Sequence, residues 1–240
     1  MLLLGGLIVA LAATIGGAAG FGASLIATPF LLTIGLPLPF VVTVNLTMTL
    51  VTRLAVVRRF RRDLAVRTVA LLVGGSVPGI LFGTQLLTIV SAPTIKRATG
   101  IVVIVATALL VWAASGPPPR PLPGAAVLAG LLGGVLGATT SLNGMPVVLL
   151  LARDRVSPRR FLANLAAYFV CSNTLTLLLL SVRGELVRQA LFPIALLWLP
   201  GALLGNAIGV ALADRLPAKT FRAFTYTLAF IAGLLTTLTA

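Results

Sequence analysis

Long apolar runs separated by short polar gaps dominate the chain. The first run, residues 2–36, carries no charge and is interrupted by glycines at 16–22. A straight helical crossing of a bilayer needs about 20 residues, so this run predicts a hairpin. Further apolar runs of helical length follow at 40–57, 68–90, 98–114, 124–152, 161–182, 190–213 and 223–240. The pattern predicts an all-α integral membrane protein.

The second half of the chain repeats the first. A Pro-rich linker at 116–123 cannot be helical and separates a first transmembrane repeat, 1–115, from a second, 124–240. Four residues of the first hairpin recur 117 positions later: Gly16, Gly17, Gly20 and Pro29. Asn45 recurs as Asn164 and Pro78 as Pro200. Each repeat is predicted to contain a re-entrant or broken helical hairpin and three transmembrane helices.

Composition excludes several classes of protein. Hydrophobic residues make up 59% and charged residues only 9%, against about 25% charged in soluble domains. The chain has no histidine and a single cysteine, Cys171, so catalytic triads and His/Cys metal sites are not available. We therefore expect no enzyme activity, no metal site and no cofactor. The basic residues lie in gaps between apolar runs, which argues against nucleic acid as a partner.

The distribution of basic residues predicts the topology. If each opening run crosses once, the basic residues divide equally between the two sides. If each is a hairpin that returns to its own side, 14 of the 18 fall on one side. Cytoplasmic loops are enriched in Lys and Arg, so we expect inverted repeats in the cytoplasmic (inner) membrane. Both termini would lie outside, and the cluster at 58–63 in the cytoplasm.

The two glycine-rich turns are the candidate site. A helix that restarts after a turn presents free N–H groups and a partial positive charge, which suits a small anion. The alternative is that the glycines only allow close packing and the hydroxyls bond their own helices. The candidate binding residues are Gly20, Phe21, Gly22, Ser24, Asn45, Gly137, Thr139, Thr140, Ser141, Asn143, Gly144 and Asn164.

Arg53 is a separate candidate. It lies inside an apolar run, where an arginine either contacts an anion or extends to the membrane interface. No acidic residue lies clearly inside a predicted crossing, so a carboxylate proton relay is hard to build. We expect anion export driven by the membrane potential, with Asp154 and Asp214 as the candidates for proton coupling.

The motif GxxGFGxxxxxxP at 17–29, its echo ending at Pro146, and RRFLANLAAYF at 159–169 resemble the sulfite exporter TauE/SafE (TSUP) family. The resemblance covers nearly the whole chain. It implies two inverted helical repeats and transport of sulfite, thiosulfate or organosulfonates across the cytoplasmic membrane. The second turn departs from the first, because GFG becomes GAT.

Two other functions stay open at this stage. One is an anion channel of the same fold, and the other is a non-transporting membrane subunit or scaffold. The expected partners are a small inorganic or organic sulfur anion and membrane lipids, with a homodimer as one assembly to test. Rocking of one repeat against the other would supply alternating access.

Overall fold

A computed structural model describes residues 2–91, 122–184 and 186–238, together with scattered positions between 94 and 108. The predicted crossing at 98–114 and residues 116–121 of the linker lie essentially outside the described residues. The described part is helical and contains no strand. Its α-helices are α1 Leu2–Ala19, α2 Ala23–Thr33, α3 Leu38–Arg59, α4 Val66–Ile89, α5 Ala125–Thr140, α6 Gly144–Arg153, α7 Pro158–Val182, α8 Leu196–Ala213 and α9 Ala218–Leu238. A 3₁₀ turn, Arg61–Asp63, precedes α4, and a π-helical segment, Ala190–Ala195, precedes α8.

The helices are long and apolar enough for a membrane. Five helices of the described ranges could span a bilayer by length and composition. Large apolar side chains cover the outer surface, among them Leu3, Ile89 and Val182, which are each more than three-quarters exposed. Such exposure is costly in water and favourable in lipid. The chain is a multi-pass membrane protein.

Both predicted hairpins form. α1 and α2 join through Gly20 and Gly22, whose φ angles of 81° and 91° are accessible to glycine without a side-chain clash. The arms approach so closely that a Cβ on Gly16 would collide with Ala23. α5 and α6 join through Ser141, which takes the left-handed conformation at φ 60°.

Glycines allow α4 to pack tightly along α5. A Cβ on Gly75 would collide with the carbonyl oxygen of Val127, and a Cβ on Gly79 with that of Leu131. Close backbone approach through small residues is how helices associate in membranes. The contact positions increase together along both helices, so α4 and α5 run in the same direction.

The same kind of seam joins α1 to α8. A Cβ on Gly205 would collide with the carbonyl oxygen of Ala10, and a Cβ on Gly209 with that of Thr14. These two helices also run in the same direction. Trp198 joins the first turns of α1 and α8, because its indole N–H donates to the carbonyl of Leu2 at 2.8 Å.

α3 and α7 cross the centre side by side. Asn173 on α7 donates to the carbonyl of Leu46 on α3 at 3.3 Å. Asn164, near the start of α7, accepts from the backbone N–H of Ala65 at 2.8 Å, just after the end of α3. The two helices therefore run in opposite directions, and they carry most of the buried polar groups.

Candidate functional site

The two glycine-rich turns meet at a small cavity, which we call the central cavity. Its volume is about 20 Å³, enough for about one water molecule. It lies among α2, α3, α6 and α7 and both turns, and its lining comprises Phe21, Gly22, Ala23, Ser24, Thr49, Arg53, Ser141, Leu142, Gly144, Met145 and Phe169.

A second cavity adjoins the first among α1, α2, α3 and α8. Its volume is also about 20 Å³. Ala23, Ser24, Thr49 and Arg53 line both cavities. The second cavity also reaches Asn45, which donates to Thr28 Oγ1 at 2.9 Å. The polar residues Ser24, Asn45, Thr49 and Arg53 therefore form one continuous surface along the two cavities.

Arg53 is the charged group of this surface. Its side chain is only 2% exposed. Nη2 donates to the carbonyl of Gly16 on α1 at 2.9 Å, whereas Nε and Nη1 have no partner. Among the described residues, no carboxylate forms an ion pair with it. The guanidinium is thus held at one nitrogen, and its two other nitrogens are buried without a partner beside the cavity.

Ser24 and Ser141 bring the two halves of the chain together. They occupy matching positions, 117 residues apart, and both line the central cavity. Ser141 is 5% exposed and its hydroxyl oxygen has no partner. A buried hydroxyl without a partner is costly, so the Ser141 hydroxyl is a polar group of the cavity wall whose hydrogen-bonding capacity is unused.

Two helix starts also line the central cavity. Ala23 and Ser24 open α2, and Gly144 and Met145 open α6. The first N–H groups of a helix have no partner within it, and each helix start carries about half a positive charge. Together with Arg53, the two helix starts make the cavity electropositive.

Other predicted site residues lie away from both cavities or serve the packing. Asn164 bonds Ala65, and Thr139 donates to the carbonyl of Val135 in its own helix. Asn143 donates to Ser172 at 2.9 Å and to Asn173 at 2.7 Å. Gly137 packs against Asn143 and Gly20 against Leu162. The side chain of Thr140 lies outside those described.

Of the large apolar side chains in the lining, Phe21 was predicted and three others were not. Leu142, Met145 and Phe169 face the central cavity, and a search for polar groups passes over them. The spacing of Asn45, Thr49 and Arg53, four residues apart, does carry a signal. Residues at i, i+4 and i+8 share one face of a helix, and this face of α3 lines the cavities.

Apolar spanning helices around a buried cavity lined by an arginine without an acidic partner among the described residues define a multi-pass membrane protein. A family model described as sulfite exporter TauE/SafE matches residues 5–236. The chain belongs to this family, whose members are membrane transporters associated with sulfur anions. Searches of curated proteins and of solved structures gave no match.

Proposed function

We propose that this protein exports small sulfur-containing oxyanions, such as sulfite, thiosulfate or organosulfonates, across the cytoplasmic membrane. The proposal depends above all on Arg53. Burying a charge costs several kcal/mol after relaxation unless the charge is paired, and Arg53 has no acidic partner among the described residues. An anionic substrate would supply the missing counter-charge once the central cavity, which now has room for about one water molecule, widens to admit it.

The neighbouring donors suit an oxyanion. Arg53, Ser24, Ser141 and the first residues of α2 and α6 all line the central cavity, and the Nε and Nη1 atoms of Arg53 and the Ser141 hydroxyl have no hydrogen-bond partner. Hydrogen bonds from such donors to an ionised oxygen are roughly twice as strong as neutral ones. Phe21, Met145 and Phe169 keep the remaining wall apolar, which limits the water that competes for these donors.

The helix directions support an inverted repeat. Successive helices α1, α2, α3 and α4 alternate in direction if each connection reverses the chain, so α1 and α4 are antiparallel. α5 runs parallel to α4. α1 and α5, which open the two repeats, would then point in opposite directions. The two turns would approach the central cavity from opposite sides of the membrane, as in other inverted-repeat transporters.

The size of the cavities favours a carrier over a channel. Each cavity measures about 20 Å³, and most central-cavity side chains are buried. An open pore would need a continuous wet path through this region. A carrier predicts saturable flux and counterflow, in which external unlabelled sulfite accelerates efflux of labelled sulfite. Flux that rises linearly with concentration and lacks counterflow would indicate a channel.

The direct test is ligand binding to the purified protein. A panel of sulfite, thiosulfate, organosulfonates and chloride is compared by thermal stabilisation, which grows with ligand concentration once it exceeds the Kd. We expect stabilisation by at least one sulfur oxyanion but not by chloride at equal concentration. Absence of stabilisation across the panel, together with absence of flux in proteoliposomes, would contradict the proposed function.

Substitutions of residues that line the central cavity test whether the anion binds there. Arg53→Met keeps an unbranched side chain but removes the charge, and we expect it to abolish the ligand-dependent stabilisation. Arg67→Met is the matched control, because Arg67 is exposed at the start of α4. Ser24→Ala provides a milder test if Arg53→Met fails to fold. Equal ligand responses in Ser24→Ala, Arg53→Met and the control would exclude this cavity as the site.

A further inference from the structure

A larger cavity lies at the arginine-rich end of the helices, and we call it the vestibule. Its volume is about 260 Å³. Exposed Ser157 and Arg159 form its outer edge, and buried Leu162 and Ala213 lie deeper. None of these residues lines the central cavity.

Leu162 and two neighbouring side chains lie between the vestibule and the turn that lines the central cavity. Leu162 lines the vestibule, and its Cδ2 lies 2.8 Å from where a Cβ on Gly20 would be. Gly20 immediately precedes Phe21 and Gly22, which line the central cavity. Leu162 is 1% exposed and is flanked by Phe161 and Leu165, which also face Gly20. The first residues of α7 therefore pack against the glycine turn between α1 and α2, and this contact separates the vestibule from the central cavity.

Ion pairs hold this closure across three helices. Asp214, at the end of α8, accepts from Arg159 Nε at 2.9 Å and from Arg59 Nη2 at 3.4 Å. Arg59 ends α3 and Arg159 starts α7. Both arginines are more than half exposed, so water and salt weaken these pairs. If the pairs separate, both arginines are already in contact with water, whereas the Asp214 side chain is only 20% exposed and has to gain hydration from the vestibule that it lines.

The electrostatic setting favours anions at this end. Exposed arginines at 58, 59, 61 and 62 lie in the same segment as Asp63, which lines the vestibule. A surface of one sign raises the local concentration of ions of the opposite sign. The vestibule itself contains Asp63 and Asp214, so it suits passage of an anion better than retention.

We propose that the vestibule is the aqueous entrance through which the anion reaches the central cavity. The entrance opens when the first turns of α7, with Leu162, move away from Gly20 and the ion pairs of Asp214 separate. This inference rests on the proposed function and adds to it a route and a barrier. A bulky group attached inside the vestibule should block flux while leaving the central cavity intact.

The test uses thiol labelling, because the chain has one native cysteine. Cys171→Ala provides a background, into which Ser157→Cys or Leu216→Cys is introduced on two different elements that line the vestibule. Maleimide is supplied to both faces of proteoliposomes and removed before sulfite flux is measured. A thioether is used because sulfite cleaves mixed disulfides. Labelling should lower the flux of each variant at least tenfold relative to the same variant unlabelled.

Arg61→Cys is the matched control, since Arg61 is exposed at the same end and does not line the vestibule. Labelling it should change flux less than twofold. Complete labelling of both vestibule variants with less than a twofold loss of sulfite flux would contradict the proposed entrance. The proposed function would be unaffected by that result. Absence of sulfur-anion flux in the Cys171→Ala background before labelling would instead overturn the proposed function, and the entrance with it.

Discussion

At the scale of single residues, matching positions in the two halves have different surroundings. Asn45 bonds Thr28 and lines a cavity. Asn164 is its counterpart, but the position that matches Thr28 is Met145, which has no hydroxyl to accept the bond. Asn164 instead accepts from Ala65. The presence of a neighbouring hydroxyl that can accept a hydrogen bond, and not the position in the repeat, therefore decides which asparagine lines a cavity.

Ser141→Gly separates binding from folding. Glycine adopts the left-handed conformation of Ser141 at no steric cost, so we expect thermal stability in detergent to be kept or raised. Loss of the hydroxyl removes a hydrogen bond to the anion worth about 1.5 kcal/mol, or about tenfold in sulfite affinity. Thermal unfolding and sulfite titration measure the two effects. Unchanged affinity would exclude Ser141 from the site.

The sequence predicted which segments meet at the central cavity better than it predicted their contacts. Glycine turns and small polar residues identified these segments, because helix breaks need glycine, and residues of both turns line the cavity; the binding of an anion there stays a prediction. The sequence left open whether Arg53 contacts an anion or the interface, since that depends on how α1 packs beside α3. The contact of Gly16 with Arg53 joins residues 37 positions apart, and no local pattern encodes it.

At the scale of helices, the apolar runs predicted the elements closely. The first hairpin was expected at 2–36, and the structure has α1 at Leu2–Ala19 and α2 at Ala23–Thr33. The length of an apolar run and the positions of its glycines are local properties, so they can be read directly from the sequence. The pairing of α1 with α8 and of α4 with α5 depends on three-dimensional packing and could not be read in the same way.

The seam between α4 and α5 gives a test on two adjacent glycines. Gly75→Ala places a methyl group against the carbonyl of Val127, whereas Gly74→Ala meets no atom within 4 Å. We expect Gly75→Ala to lower the melting temperature in detergent markedly. Gly74→Ala should be neutral or stabilising, because alanine favours a helix by about 1 kcal/mol over glycine. Similar melting temperatures for the two variants would contradict the packing.

At the scale of the whole molecule, the proposed export of an anion would be coupled to the membrane potential through the charge of the substrate. A potential of 100 mV contributes about 4.6 kcal/mol to the movement of a divalent anion, enough to drive export without a coupled ion. We expect sulfite efflux from proteoliposomes to follow a clamped potential. Efflux that ignored the potential and followed a pH gradient would contradict this mechanism.

Asp154 offers a test of proton coupling at the same scale. It follows α6 outside the apolar spans and lines neither small cavity. Burial raises the pKa of its carboxyl, and the nearby Arg153 opposes the rise. If transport is uncoupled, Asp154→Asn should keep the voltage dependence and the pH profile of the unmodified protein. Loss of a pH-dependent component in the variant would assign Asp154 to a proton pathway.

The glycine seams determine which parts of the protein can shift as units. α1 and α4 precede the Pro-rich segment, whereas α5 and α8 follow it, yet the tight contacts join α1 to α8 and α4 to α5. Separating the first repeat from the second would break both seams at once. Alternating access by rocking one repeat against the other is therefore disfavoured. If the protein alternates between two conformations, the pairs α1–α8 and α4–α5 should each move as one unit, and each pair takes one helix from either half of the chain.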